Sequence, residues 1–157
     1  MKPEKFDHEK YVERLYLHSS RVEEELCKNP SWMGYYGSQA AMWQKLTDMK
    51  KAEVKALRGD LAKQLKRDNP KMAVGTIEAE VDSHKEYLSA HNRFLDYKEQ
   101  ADLFTQAHYA LDKKQFSLQS LNKRNNREEE VTKARTFNDL SDEEKLDRKQ
   151  RLIDAQR

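Results

Sequence analysis

The chain has 157 residues, 37% of them charged and 36% hydrophobic, with a mean hydropathy of −1.13. That composition leaves little to fill a compact core and favours long helices over a globule. Its net charge of +2 selects no partner by itself. Four Gly and three Pro argue against a turn-rich β fold, and the single Cys27 excludes an internal disulfide. No apolar run approaches the 18 or so residues of a membrane span, and residues 1–7 lack an apolar signal core. A soluble protein of a reducing cytoplasm is expected, the host cytoplasm if the source is viral.

Residues 6–27 place Tyr11, Leu15, Val22 and Leu26 four or seven apart, the period of an amphipathic helix starting near Asp7. Asn29-Pro30-Ser31 predicts its end, because proline disfavours helical geometry in the residue before it and Ser31 can cap the next helix. Two long arms then organise the chain, residues 31–67 and 83–123, each on the order of 50–60 Å if helical.

The first arm opens with an uncharged aromatic run containing Trp32, Tyr35 and Tyr36. From Trp43 it continues as Leu46, Met49 or Lys50, Val54, Leu57, Leu61 and Leu65, the narrow seam of a coiled coil. After the Asn69-Pro70 break, Thr76 is the predicted cap of a short helix bearing Ile77 and Val81, and Ser83 the cap of the second arm. That arm carries Tyr87, Leu88, His91, Phe94, Leu95, Lys98, Ala101, Phe104, His108, Leu111, Leu118 and Leu121, an apolar face broader in the middle than its partner's. The breadth points to more than one packing neighbour.

From Asn122 the stripe stops, and the composition predicts a solvated linker. Ser141 and Glu144 then form a capping box for a short helix to about Ala155, exposing Leu146, Leu152 and Ile153. The expected organisation is an N-terminal helix over residues 1–28, a helical hairpin over 29–124, and a polar linker with a short helix over 125–157. The fold class is all-α, a long antiparallel hairpin assembling into an oligomeric ring or bundle.

Enzymatic chemistry finds no foothold. None of the five histidines pairs with another at the i, i+4 spacing of a helical zinc site, no glycine-rich phosphate loop exists, and Cys27 near a helix C-terminus is a poor nucleophile. No catalytic residue, metal or cofactor is expected. Charge is distributed unevenly instead. Between Lys45 and Lys71 nine basic residues face four acidic ones, whereas between Thr76 and Gln100 six acidic residues face three basic ones. Lys50, Lys51, Lys55, Arg58, Lys63, Lys66 and Arg67 include spacings of three, four and seven, so several line one helical flank and could track a phosphate backbone. Trp32, Tyr35, Tyr36 and Trp43 could stack on unpaired bases or serve packing.

These residues resemble the UvsY-type recombination mediators of tailed phages. The likeness covers roughly residues 22–124. It starts at Asn29-Pro30-Ser31-Trp32-Met33-Gly34-Tyr35-Tyr36, similar to the family's Asn-Pro opening of its long helix, and continues through the Lys50 to Arg58 run. The closing arm, with Tyr87, Leu88, Leu95, Lys98, Leu111 and then Lys114-Gln115-Phe116-Ser117-Leu118, resembles the family's Arg-Gly-Phe-x-Ile end. The resemblance implies a non-enzymatic helical protein that assembles into rings, binds single-stranded DNA and helps load a recombinase in place of single-strand-binding protein. It maps the DNA-contacting Lys-Ala-Arg pair onto Lys55 and Arg58, with the arginine one position later than in the family. Gln115, where the family often has Gly, and the tail after Arg127 are further departures. The rival reading is a coiled-coil scaffold or adaptor of phage assembly, with its charges serving solubility.

Overall fold

A computed structural model describes residues 3–138, all helix and short connections. Four helices follow one another: α1 (His8–Leu15), α2 (Val22–Asp68), α3 (Val74–Ser83) and α4 (Lys85–Asn138), with a 3₁₀ turn at Ser19–Arg21 before α2. Asp7 caps α1 as its position predicted, accepting the Lys10 backbone N–H at 3.1 Å. At 47 and 54 residues, α2 and α4 measure about 70 and 80 Å.

The two long helices pair antiparallel, since cross-arm contacts descend in α4 as they ascend in α2. Glu25 meets Lys114, Asn29 meets Leu111 and Gln115, Tyr36 meets Phe104, Trp43 meets Tyr97, and Arg58 of α2 meets Asp82 of α3. A 3-4 spacing runs along both contact faces. On α4 every member of the series Tyr87, Ala90, Phe94, Tyr97, Ala101, Phe104, His108, Leu111, Gln115, Leu118, Asn122 and Asn125 is buried or half-buried. This is the signature of a coiled-coil seam.

Three expectations need correction. First, the helix does not end at Asn29-Pro30; α2 continues through Pro30. The missing proline N–H leaves the Leu26 carbonyl without its usual helical donor. Packing outweighs that loss, because Val22, Glu25, Asn29 and Tyr36 are all buried along the same face on either side of the proline. The corner lies at residues 16–18 instead, so Val22 and Leu26 belong to α2. Second, the stretch beginning at Asn122 is not a linker but a continuation of α4 to Asn138. Good helix formers and i, i+4 pairs between Arg124 and Glu128 and between Glu129 and Lys133, each 3.5 Å, support it. Third, α3 is capped by Ala73 rather than Thr76, and His84 rather than Ser83 starts α4. The His84 carbonyl accepts the Leu88 N–H and its ring Nδ1 accepts the Glu86 N–H. The predicted burial of Ile77 and Val81 in the short helix is observed. The capping box at Ser141 and the apolar residues after it lie outside the described residues.

Packing is uneven along the hairpin. One cluster joins Tyr36, Trp43, Ala101, Phe104, Ala107 and Leu111; a smaller one joins Leu61, Ile77 and Val81. Between them, over residues 48–60 of α2 and 82–100 of the return arm, no residue is fully buried. The larger cluster carries a third layer. An N-terminal arm lies across both helices, with the Glu4 and Phe6 backbone N–H groups donating to Gln39 and Gln100 at 2.9 and 2.8 Å. Trp43 Nε1 donates to the Glu4 carbonyl at 2.7 Å, and the Phe6 ring packs against Tyr11, Tyr36 and Phe104.

Glycine packing separates two neighbouring positions. A methyl group on Gly34 would meet nothing within 4 Å, whereas one on Gly37 would stand 3.2 Å from His108 Nδ1. That ring cannot easily retreat, since the same Nδ1 lies 3.1 Å from the Met33 carbonyl. Gly34→Ala should therefore stabilise the protein by about 0.5–1 kcal/mol, the helix-propensity difference, while Gly37→Ala gains nothing or loses. Urea midpoints of the two variants check this.

Candidate nucleic-acid interface

At about 100° per residue, Lys51, Lys55 and Arg58 project within about 60° of one another from α2, on a flank beside the inner seam of Val54, Leu57 and Leu61. All three are exposed, as are Lys63, Lys66 and Arg67. Lys50 stands apart. It is half-buried on the seam side, its ammonium 2.6 Å from Glu53.

Several of these cations already have partners. Arg58 reaches across to Asp82 of α3 at 3.2 Å, Lys63 lies 3.7 Å from Asp60, and Lys66 donates to the Met72 carbonyl at 3.0 Å, closing the loop after α2. Lys51, Lys55 and Arg67 have no ion pair or hydrogen bond among the described residues. The antiparallel fold also sets the basic half of α2 beside the acidic stretch that begins at Thr76. Part of the positive field is answered within the hairpin.

The aromatic residues divide. Tyr36 and Trp43 are buried in the larger cluster, so packing is their role. Trp32 and Tyr35 are half-buried, with the Arg14 guanidinium 5.9 and 5.5 Å from their ring centroids. Tyr35 also donates its hydroxyl to the Glu4 carboxylate at 2.8 Å. Burial and that bond push the Tyr35 phenol up to about 12. Its neutral form favours folding, so its contribution is complete below pH 10 and is lost as pH rises toward 12. A difference titration of phenolate absorbance between the wild type and Tyr35→Phe should show one tyrosine ionising near pH 12.

Comparison of the chain with protein-family models, curated proteins and solved structures finds no match.

Composition gave no hint of the polar residues inside the seam. Lys114 is only 6% exposed. Its ammonium contacts Glu25 at 2.7 Å and donates to the Arg14 and Tyr16 carbonyls, each at 2.8 Å. Glu25 in turn accepts the His18 N–H at 3.0 Å. Burial pushes the Glu25 carboxyl up, but the Lys114 and His18 bonds outweigh it and hold the group below its ordinary 4.5. This cluster ties the end of α1 and the corner at residues 16–18 to both long helices. Asn29, fully buried, donates Nδ2 to the Leu111 carbonyl and to Gln115 at 3.0 and 2.9 Å, fixing the register of the pair. One signal was available: Glu25, Asn29 and Gln39 fall on the 3-4 series shared with Val22, Trp32, Tyr36 and Trp43.

No three or more His, Cys, Asp or Glu side chains gather as a metal site among the described residues, and no described helix is long and apolar enough to cross a membrane.

Proposed function

We propose that this protein is a non-enzymatic, single-stranded-DNA-binding recombination mediator that acts as a homo-oligomer. Its protein partners would be a recombinase and a single-strand-binding protein. The observation that carries the reading is the exposed cationic flank of α2, where Lys51 and Lys55, one turn apart, have no ion pair or hydrogen bond among the described residues. The resemblance of residues 22–124 to UvsY-type mediators supports it. Phosphates would bind along Lys51, Lys55 and Arg58, with Lys66 continuing the track toward the hairpin turn, while Lys63 and Arg67 project more than about 100° further round α2 and would bind from its other side. Arg58 would exchange Asp82 for a phosphate. Repetition of the flank in an oligomer would raise the affinity of contacts that are individually weak.

Lys51→Ala with Lys55→Ala should weaken binding to a labelled single-stranded oligonucleotide. The slope of log affinity against log salt should fall by about 1.4, at about 0.7 for each phosphate that a lysine no longer neutralises on a single strand. Unchanged affinity and slope would remove the flank from the interface.

A second reading is a coiled-coil structural protein of phage assembly. It is favoured by the pairing of Lys50 with Glu53, Arg58 with Asp82 and Lys63 with Asp60. In that case the charges serve hairpin pairing and solubility, and the oligonucleotide does not bind at low salt.

A further inference from the structure

Besides the seam it shares with α2, α4 carries a second apolar row. Of the five large apolar side chains it is seen to expose, four are Leu88, Leu95, Tyr109 and Phe116, at 45 to 63%. All are separated by multiples of seven residues. A straight helix turns such a row by only about 20° per heptad, so the four share one face over about 40 Å. The row's centre points about 160° away from Gln100 and about 120° away from Lys114, the flank to which the N-terminal arm and the end of α1 are bonded. No described residue covers it. The heptad position in the middle is Asp102, and the row is symmetric about it: Leu95 and Tyr109 lie seven residues to either side, Leu88 and Phe116 fourteen.

We propose that this row is a two-fold interface with a second copy of the chain. In it, two α4 helices pack antiparallel across an axis at Asp102. Leu95 of each copy then meets Tyr109 of the other, and Leu88 meets Phe116. A two-fold contact brings the same patch together from both sides, so it requires a self-complementary surface, and a symmetric row supplies one. Charge agrees. Lys98 and Asp102 are both exposed and neither has an ion pair among the described residues, although they stand four apart on one helix. Antiparallel packing places each Lys98 one turn from the other copy's Asp102, so two ammonium groups answer the two carboxylates at the axis. The proposal rests on the oligomeric part of the function above and names the surface that would provide it.

The test uses the full chain with Cys27→Ser, carrying one new cysteine at a time, and a short bismaleimide matched to a helix separation of about 8–10 Å. Asp102→Cys should crosslink to itself as a covalent dimer. Leu88→Cys alone should not, yet it should crosslink when mixed with Phe116→Cys. Leu95→Lys should lower the mass found by light scattering without loss of helical circular dichroism. A monomeric wild type, equal self-crosslinking at positions 88 and 102, or a mass unchanged by Leu95→Lys would overturn the interface. Oligonucleotide binding by the wild type, measured alongside, separates the two claims. Crosslinking at 102 without DNA binding defeats the DNA reading and leaves the interface standing; DNA binding without crosslinking does the reverse.

Discussion

Lys114→Met should cost about 3–5 kcal/mol of folding stability, the usual penalty for breaking a buried ion pair from one side. In thermal melts that corresponds to a fall on the order of 10 °C. The cause is specific. Methionine fills much of the same space but abandons Glu25, whose side chain is 8% exposed, and releases the carbonyls of Arg14 and Tyr16. The pH dependence separates this from a simple packing loss. In the wild type the Glu25 carboxyl is held below 4.5, so its contribution is present above that pH and is lost as acid protonates it. Without Lys114, burial is left as the main influence and raises the carboxyl, so acid relieves the variant rather than harming it. The stability gap between the two proteins should therefore narrow as pH falls from 7 to 4. Urea unfolding at both values measures it, and a gap independent of pH would mean that Lys114 matters only for its bulk.

Phe104→Ala is expected to be equally severe, about 3–5 kcal/mol. Phe104 is 1% exposed, and its ring stands 5.1 Å from Phe6 and 5.8 Å from Tyr36, so one side chain joins the N-terminal arm to both long helices. Truncation would open a cavity where all three layers meet. Val54→Ala, in the middle of the hairpin where no residue is fully buried, should cost well under half as much. Comparable losses at the two positions would contradict the uneven packing of the hairpin.

The long seams could be read from residue spacing because a coiled coil writes its period directly into the chain. Trp43, Leu57, Leu61 and Leu65 on one arm and Phe94, Phe104, Leu111 and Leu118 on the other lie where the period puts them. The breadth of the second arm's face has a structural meaning: besides the inner seam it includes Leu88 and Leu95, which belong to a separate exposed row that Tyr109 and Phe116 complete. Local rules failed where distant residues decide the outcome. Pro30 reads as a helix end, but Asn29 beside it is held by Leu111 and Gln115, more than eighty residues away. The corner at residues 16–18 carries no proline; it is set by Lys114 and Glu25, which capture its backbone. The polar residues from Asn122 read as a linker because nothing packs on most of them, yet helix propensity and i, i+4 pairs suffice to continue α4.

In the candidate site, the cationic flank of Lys51, Lys55 and Arg58 follows from helical spacing alone. The bonds between Arg58 and Asp82 and between Lys66 and the Met72 carbonyl depend on how the return arm folds back, which spacing does not encode. Burial of Tyr36 and Trp43 under the arm is likewise tertiary, since it rests on Glu4 and Phe6 lying across both helices.

The most direct measurement is titration of a labelled single-stranded oligonucleotide with the wild-type chain at low and then rising salt, with the mass of the same sample determined by light scattering. An oligomer that binds at low salt, and releases the strand progressively as salt rises, is the predicted result. An assembled oligomer that leaves the oligonucleotide free at low salt would contradict the proposed function.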